Sequence, residues 1–372
     1  MATGRRILTV VLTFVLMLAS DVKLHCEPTG FKRAIEPWAW KFPKDHGQHP
    51  GFQTEWWYFT GNLRSESKRD FGYQFTIFRR SLTDKPMDRA SAWATPDVYL
   101  CHLAVTDISG GRFMHSEVAR RPALGLAGAS TETLNVWVGA NVVRMDDSTN
   151  IKLQGSGDGF RFELYLHPKK DPILNGPGGV DKKGPEPGDA SYYYSMTRLE
   201  TTGTLFVGEE EAVVHGTSWM DHEFGSNQLP KNVQGWDWFS IQLSDSTELM
   251  IYQLRLKQGG AARESGGTVV NSDGTSEWLQ RGDFVLEPLK TWKSPATGAV
   301  YPAGWKLGIP SRKLELKVTP RVADQELHSA GTTGVSYWEG AIEVEGNSGD
   351  RKLSGSGYGE LTGYVEGMSG RL

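Results

Sequence analysis

One succession of aromatic strand motifs occurs twice along this chain, in the same order, and that recurrence limits the fold more than any other feature. Glu55-Trp56-Trp57-Tyr58-Phe59, followed by Phe71-Gly72-Tyr73-Gln74 and Arg79, is echoed by Trp236-Asp237-Trp238-Phe239-Ser240, followed by Met250-Ile251-Tyr252-Gln253 and Arg255. In this alignment Trp57 matches Trp238 and Tyr73 matches Tyr252. Further on, residues 162–168 parallel 314–320, Ser191-Tyr192-Tyr193 parallels Ser336-Tyr337-Trp338, and residues 216–221 parallel 355–360. The order is kept while the spacing shrinks, as expected of a tandem duplication whose first copy carries extra loop residues. Residues 168–190, rich in Gly, Pro and Lys, are one such insertion and read as a long loop.

The repeated units are built of strands. Phe160, Phe162, Leu164 and Leu166 alternate with Arg161, Glu163, Tyr165 and His167, and Leu314, Leu316 and Val318 alternate with Glu315, Lys317 and Thr319. Such period-2 patterning marks half-buried strands, and no segment sustains a helical stripe beyond two or three turns. The 44 glycines punctuate these strands and the 13 tryptophans cluster at their openings. The expected class is all-β, as two tandem β-barrels over residues 45–223 and 224–370.

Forty basic against 44 acidic side chains leave a net charge of −4 without basic blocks, which argues against a nucleic-acid partner. Arg5-Arg6 followed by the uncharged run from Ile7 to Ala19 matches a secretory signal peptide, assigned to residues 1–26. The expected location is therefore periplasmic or extracellular; an uncleaved anchor, with peripheral membrane association, is the alternative. Cleavage removes Cys26 and leaves Cys101 without a disulfide partner, in the apolar run Val98-Tyr99-Leu100-Cys101-His102-Leu103, where a buried inert thiol is expected.

Common catalytic patterns fail. Gly216-Thr217-Ser218-Trp219 begins like a nucleophile elbow but reaches Met220 where Gly is required, and no H-E-x-x-H, C-x-x-C or P-loop pattern occurs. A serine or metal hydrolase is not expected, nor is a cofactor. The densest polar cluster is Trp219-Met220-Asp221-His222-Glu223-Phe224-Gly225. On a strand, Asp221 and Glu223 share a face with Trp219 while His222 points the other way. Two carboxylates beside a large ring suit acid–base chemistry, since burial holds one of them protonated near neutral pH. A hydrogen-bonded cluster tying two barrels together is the structural alternative. A metal is not expected, because adjacent strand residues cannot all converge on one ion. The aromatic surplus suggests an apolar ligand inside a barrel, and Arg79 and Arg255 read as caps of the barrel ends, with pairing to the carboxylates the alternative.

Several motifs together resemble the AttH/CrtC lipocalin-like family: His49-Pro50-Gly51-Phe52 through Glu55-Trp56-Trp57-Tyr58-Phe59-Thr60-Gly61, Ala190-Ser191-Tyr192-Tyr193-Tyr194-Ser195, residues 219–225, Gly235-Trp236-Asp237-Trp238-Phe239, and Gly359-Glu360-Leu361-Thr362-Gly363-Tyr364. The resemblance spans about residues 45 to 366 and implies two lipocalin-like, calycin-like barrels. It groups carotenoid 1,2-hydratases with exported proteins called secreted hydrolases, with AttH-type proteins associated with ABC export systems, and with fungal cyclases. A hydratase reading makes Asp221 or Glu223 the acid that protonates an isolated alkene, with His222 orienting water. The candidate substrate-binding residues are Trp57, Tyr193, Trp219, Trp236, Trp238 and Tyr252, whose faces would stabilise a tertiary cation. Hydratase-like relatives carry Trp at the position of Phe224 and a further acid near the Tyr252 strand; residues 251–255 have no carboxylate, which weighs against a carotenoid itself. Two functions follow as expectations: an exported enzyme hydrating or isomerising an apolar lipid or isoprenoid, or a carrier of such a ligand working with ABC exporter components.

Overall fold

The computed structural model describes residues 30–85, 91–227 and 229–368; the signal peptide assigned to residues 1–26 lies outside them. Two large curled sheets repeat one topology. In the first, Thr54–Ser65 lies between its hairpin partner Asp70–Ser81 and the last strand of that sheet, Glu210–Gly225. Asp97–Asp107 extends one side, and Ala190–Val207 and Phe160–Pro168 extend the other. In the second, Val233–Leu243 lies between Glu248–Leu256 and the final strand Arg351–Leu361, extended by Gly266–Val270 on one side and by Ser336–Ser348 and Leu314–Pro320 on the other. Each duplicated motif falls on the same position in the two sheets. The fold is all-β and lipocalin-like.

The side chains correct the alignment within those strands. Phe59 and Phe239 sit in the two barrel cores, whereas Tyr58 and Trp238 meet between the sheets, so Tyr58 rather than Trp57 is the counterpart of Trp238. Tyr58 pairs across to Thr76 and Trp238 to Tyr252, which makes Thr76, not Tyr73, the counterpart of Tyr252. The match of Asp221 with Glu360 stands, because they face Tyr58 and Trp238 respectively. Ser195 and Glu339, which pair with Asp221 and Glu360, are equivalent in turn. A slip of one residue flips a strand's faces, and Trp56-Trp57-Tyr58 offers an aromatic on both, so the sequence holds no alternation to pin the register.

Each sheet curls around its own core, one built on Trp57, Phe59, Tyr73 and Phe75, the other on Phe239, Ile251, Trp305 and Ile342. Buried apolar side chains pack each interior. The central strands bury their outer faces too, in a third cluster that joins Tyr58, Tyr193 and Trp219 of the first sheet to Trp238, Met250 and Tyr252 of the second. Strands covered on both sides lose polar–apolar alternation, as Thr54–Ser65 does. Cys101 lies in the first core, where burial pushes its thiol pKa up.

The structure adds detail at three places. The first sheet runs through Gly225, and the second opens at Val233. Residues 168–190 are not a bare loop: Ile173–Leu174 and Val180–Lys182 pair with Ala190–Val207. Arg79 and Arg255 do close barrel ends, but through carboxylates as well as carbonyls. Arg79 Nε reaches Glu55 at 3.1 Å and Arg255 Nε reaches Asp237 at 2.9 Å.

The seam between first and last strands depends on glycine. A Cβ at Gly216 would collide with the Asn62 carbonyl, and one at Gly357 with the Ser240 carbonyl. Gly216→Ala and Gly357→Ala should each lower stability by about 1–3 kcal/mol through overpacking against backbone. The measurement is a lower urea midpoint at unchanged slope, while Gly282→Ala, where a Cβ meets nothing, should shift stability by at most about 0.5 kcal/mol.

Candidate active site

The alternation of Glu210–Gly225 divides its polar cluster between two environments. Asp221 and Glu223 face the second sheet; His222 faces the first barrel. The first two open into a cavity between the sheets. Trp56, Tyr58, Gln74 and Phe78 line it from the first two strands of sheet one, and Tyr193, Asp221 and Glu223 from that sheet's last two. The matching strands of sheet two supply Trp236, Trp238, Tyr252, Leu254, Tyr337, Glu339 and Glu360. The insertion adds Lys183, among the described residues the one cationic side chain in the lining. An aromatic cleft therefore holds four carboxyl groups and one ammonium.

Those four groups differ in their partners. Glu223 has the cation: Lys183 Nζ lies 3.4 Å from its Oε1, and Ser191 donates to the same oxygen. Burial would lower the Lys183 pKa, but Asp181 and Glu223 hold it up, and its ammonium sits over the Tyr252 ring at 4.6 Å. Asp221 has only neutral donors: Tyr193 Oη at 2.7 Å, Trp219 Nε1 at 2.6 Å and Ser195 Oγ at 2.5 Å. Burial outweighs these three bonds and, with the Glu223 charge adding to it, pushes the carboxyl up to about 7. Glu360 receives one bond from Trp236 Nε1 at 2.8 Å and is likewise pushed up to about 7 by burial. Glu339 receives one from Tyr58 Oη at 2.8 Å, and burial, then the Glu360 charge, hold it well above the carboxylate range.

His222, expected beside Asp221, is instead part of a second cluster. Its Nε2 lies 2.9 Å from Glu55 Oε1 and its Nδ1 3.1 Å from Tyr194 Oη. His49 Nδ1 meets the same Glu55 oxygen at 2.8 Å, and its Nε2 meets Asp45 at 3.1 Å. Burial alone would raise the Glu55 carboxyl; hydrogen bonds from His222 and His49 and the charges of His49 and Arg79 hold it far below the usual range. His49, Glu55 and His222 are close enough to suggest metal ligands. Ligand atoms around a tetrahedral ion with bonds near 2.1 Å stand roughly 3.4 Å apart, however. The closer spacing here is that of hydrogen bonds, and Arg79 already balances the carboxylate. This cluster fastens residues 45–55 across the barrel end.

Of the residues picked out from sequence, the cavity brings together Asp221, Glu223, Tyr193, Trp236, Trp238 and Tyr252. Trp219 stands behind Asp221 as a donor, edge-on to Trp238. Trp57 and His222 are excluded by the pleat: Trp57 stacks on His222 in the first barrel and donates to the His46 carbonyl. Sequence reasoning missed Trp56, Tyr58, Gln74, Lys183, Tyr337, Glu339 and Glu360. The signal for Glu360 was present, since the repeat aligns it with Asp221. Glu339 would have followed from the correct register.

An AttH-like family profile matches residues 33–364. A crystal structure described as an AttH (NE1406) from Nitrosomonas europaea superposes with a TM-score of 0.81 at 30% identity, covering 90% of this chain and 100% of that one. Kievitone hydratase from Nectria haematococca shares the fold, with a TM-score of 0.68 at 16% identity over 91% of this chain and 98% of that one. The dehydratase asqC of Emericella nidulans is 23% identical over 223 residues, 58% of this chain. The match spans 62% of that relative's length.

The two clusters predict opposite behaviour. Between about pH 4 and pH 7 the unfolded chain has released the Asp221 proton and the folded chain keeps it, so this group makes stability fall as pH rises through that window. Asp221→Asn removes its share: the stability of wild type minus that of the variant should drop by a few kcal/mol at most (~3–4) from pH 4 to pH 7 and then level off. Glu223, Glu339 and Glu360 remain in both proteins, so the difference reports Asp221 together with its coupling to Glu223 and Glu360. Denaturant titrations across that pH range measure it. His222→Ala should instead cost about 3 kcal/mol at pH 7, because Glu55 stays buried short of a donor, and should leave the Asp221 pH slope in place.

Proposed function

The chain belongs to the AttH-like family, and from that premise we propose that it is a hydratase-like enzyme, adding water to or removing it from a carbon–carbon double bond of an apolar small molecule held between the two sheets. One observation carries the proposal: Asp221 is a buried carboxyl without a cationic partner, held by Tyr193, Ser195 and Trp219 in an aromatic cavity. A group poised near neutral pH both gives and takes a proton at little cost. Burial raises the Glu223 carboxyl too, but the Lys183 ammonium, which it shares with Asp181, pulls against that rise, whereas Asp221 has no cationic partner.

In the hydration direction the Asp221 carboxyl gives its proton to one alkene carbon. The cation left on the neighbouring carbon lies among the faces of Trp56, Trp236 and Trp238, which stabilise positive charge without attacking it. Water adds to that carbon and loses a proton. Dehydration reverses each step. Tyr193 fixes the Asp221 carboxyl and is itself fixed by Trp238 Nε1 at 3.1 Å, so the second sheet positions the acid of the first. Three fungal and bacterial relatives of the fold include a hydratase and a dehydratase by name, which agrees with water chemistry at such a site.

Native mass spectrometry of protein isolated from its host, followed by incubation of the extracted ligand with fresh enzyme, tests this. Wild type should change the ligand mass by one water. Asp221→Asn should bind it with turnover reduced at least about 100-fold, the usual contribution of a positioned acid. A ligand returned unchanged by wild type would favour the carrier reading instead.

A further inference from the structure

Two buried oxygens in the cavity lack a hydrogen-bond partner among the described residues: Glu339 Oε2 and Gln74 Oε1. They sit on the two sheets, Gln74 on Asp70–Ser81 and Glu339 on Ser336–Ser348, and both line the cavity that holds Asp221. Each side chain is fixed by its other end. Tyr58 donates to Glu339 Oε1 at 2.8 Å, and Gln74 Nε2 donates to Thr76 Oγ1. Neither can turn its free oxygen to water outside without breaking that bond. Leaving a buried polar atom unpaired costs roughly 1–3 kcal/mol, so two such atoms in one aromatic cavity mark a place for a polar guest.

We propose that Glu339 is the second proton-transfer group of this site, holding with Gln74 the oxygen of the water that is added or removed. The inference rests on the hydratase-like reading and divides its chemistry between the two repeats. In hydration, Asp221 forms the new C–H bond with its proton. The oxygen lone pair of the water between Glu339 and Gln74 forms the C–O bond, and the proton that water sheds passes to the Glu339 carboxylate. Gln74 Oε1 accepts the hydrogen that stays on oxygen. In dehydration, neutral Glu339 protonates the departing hydroxyl, the C–O bond breaks with its electron pair leaving on water, and Asp221 takes the proton from the adjacent carbon. Solvent returns each acid to its starting state, and no other reactant is needed. Burial and the neighbouring Glu360 charge favour the neutral form of Glu339, the state that dehydration begins from.

The duplication explains why the site has two acids of different kinds. Ser195 and Glu339 occupy the same position in the two copies, and so do Asp221 and Glu360. In the first copy a serine beside the acid fixes it by a hydrogen bond. In the second copy that neighbour is itself an acid, whose outer oxygen is free for a guest.

Isotope exchange separates this proposal from the reading beneath it. The probes are citronellol, with an isolated trisubstituted alkene, and its hydrate 3,7-dimethyloctane-1,7-diol, incubated in ¹⁸O-water and in D₂O and followed by mass spectrometry. Wild type should put ¹⁸O into the tertiary hydroxyl and deuterium on the adjacent carbon. Glu339→Gln keeps an acceptor for Tyr58 but cannot transfer a proton, and should slow ¹⁸O exchange at least about 100-fold, while Asp221 still places deuterium on citronellol through the cation and the probe still quenches tryptophan fluorescence. Asp221→Asn should keep ¹⁸O exchange, through the cation, and lose deuterium. Gln74→Met leaves both acids in place and should slow ¹⁸O exchange roughly tenfold, so the proposal stays testable should Glu339→Gln fold poorly. ¹⁸O exchange by Glu339→Gln within about threefold of wild type, well inside what a lost acid would cost, overturns the role of Glu339 and leaves the hydratase-like reading intact. Absence of both exchanges in wild type overturns the reading, and the role of Glu339 with it.

Discussion

The burial of both faces of the central strands is the constraint from which the rest follows. A sheet that curls around its own core ordinarily turns its outer face to water. Here the outer face of Thr54–Ser65, Asp70–Ser81 and Glu210–Gly225 meets the equivalent face of the second sheet. Every polar side chain on those faces must then find a partner inside the protein or wait for a guest. Asp221, Glu339 and Glu360 are carboxyl groups placed where no solvent neutralises them and no cation has been supplied. Their raised pKa values are consequences of that placement.

The contrast with Glu55 shows how much depends on counter-charge rather than depth. Glu55 and Asp221 are both buried, on neighbouring strands, in the same molecule. Glu55 faces His49, His222 and Arg79, and stays ionised. Asp221 faces Tyr193, Ser195 and Trp219, and is pushed up to about 7. Neutral donors stabilise a carboxylate, but by less than the desolvation they accompany. One buried acid is thereby an ionised clasp and the other a carboxyl pushed toward its neutral form, although a pleat of one residue separates His222 from Asp221.

That same pleat sets the limit of what the sequence discloses. The tandem duplication, the strand order and the polar cluster at 219–225 are legible because they depend on residue types and their succession. The facing of Trp57 is not: the run Trp56-Trp57-Tyr58 is aromatic at every position, and only the packed structure decides that Trp57 belongs to a barrel core and its neighbours to the cavity. A slip of three residues set Tyr73 in the place of Thr76, and a slip of one hid Glu339 behind its alignment with a tyrosine strand. Lys183 was invisible for another reason. It lies in an insertion whose Gly and Pro content reads as loop, and only pairing of Val180–Lys182 with Ala190–Val207 carries it into the site.

The duplication also bears on how such a site arises. Two copies of one barrel, packed through equivalent faces, bring equivalent positions into a shared cavity, so an acid at one position is met by its counterpart across the gap. Identical copies would place like charges together, an arrangement that forces most of them to stay neutral. Divergence has distinguished them here. Glu223 has Lys183 from the insertion, Asp221 has three neutral donors, Glu360 has the indole of Trp236, and Glu339 has one phenol and an open oxygen. Groups of one chemical type with separated proton affinities are what acid–base catalysis at a double bond requires, since one must hold a proton while another is free to take it. On the proposed hydratase-like reading, Asp221 of the first copy and Glu339 of the second meet that requirement from adjacent, non-equivalent strand positions of the repeat.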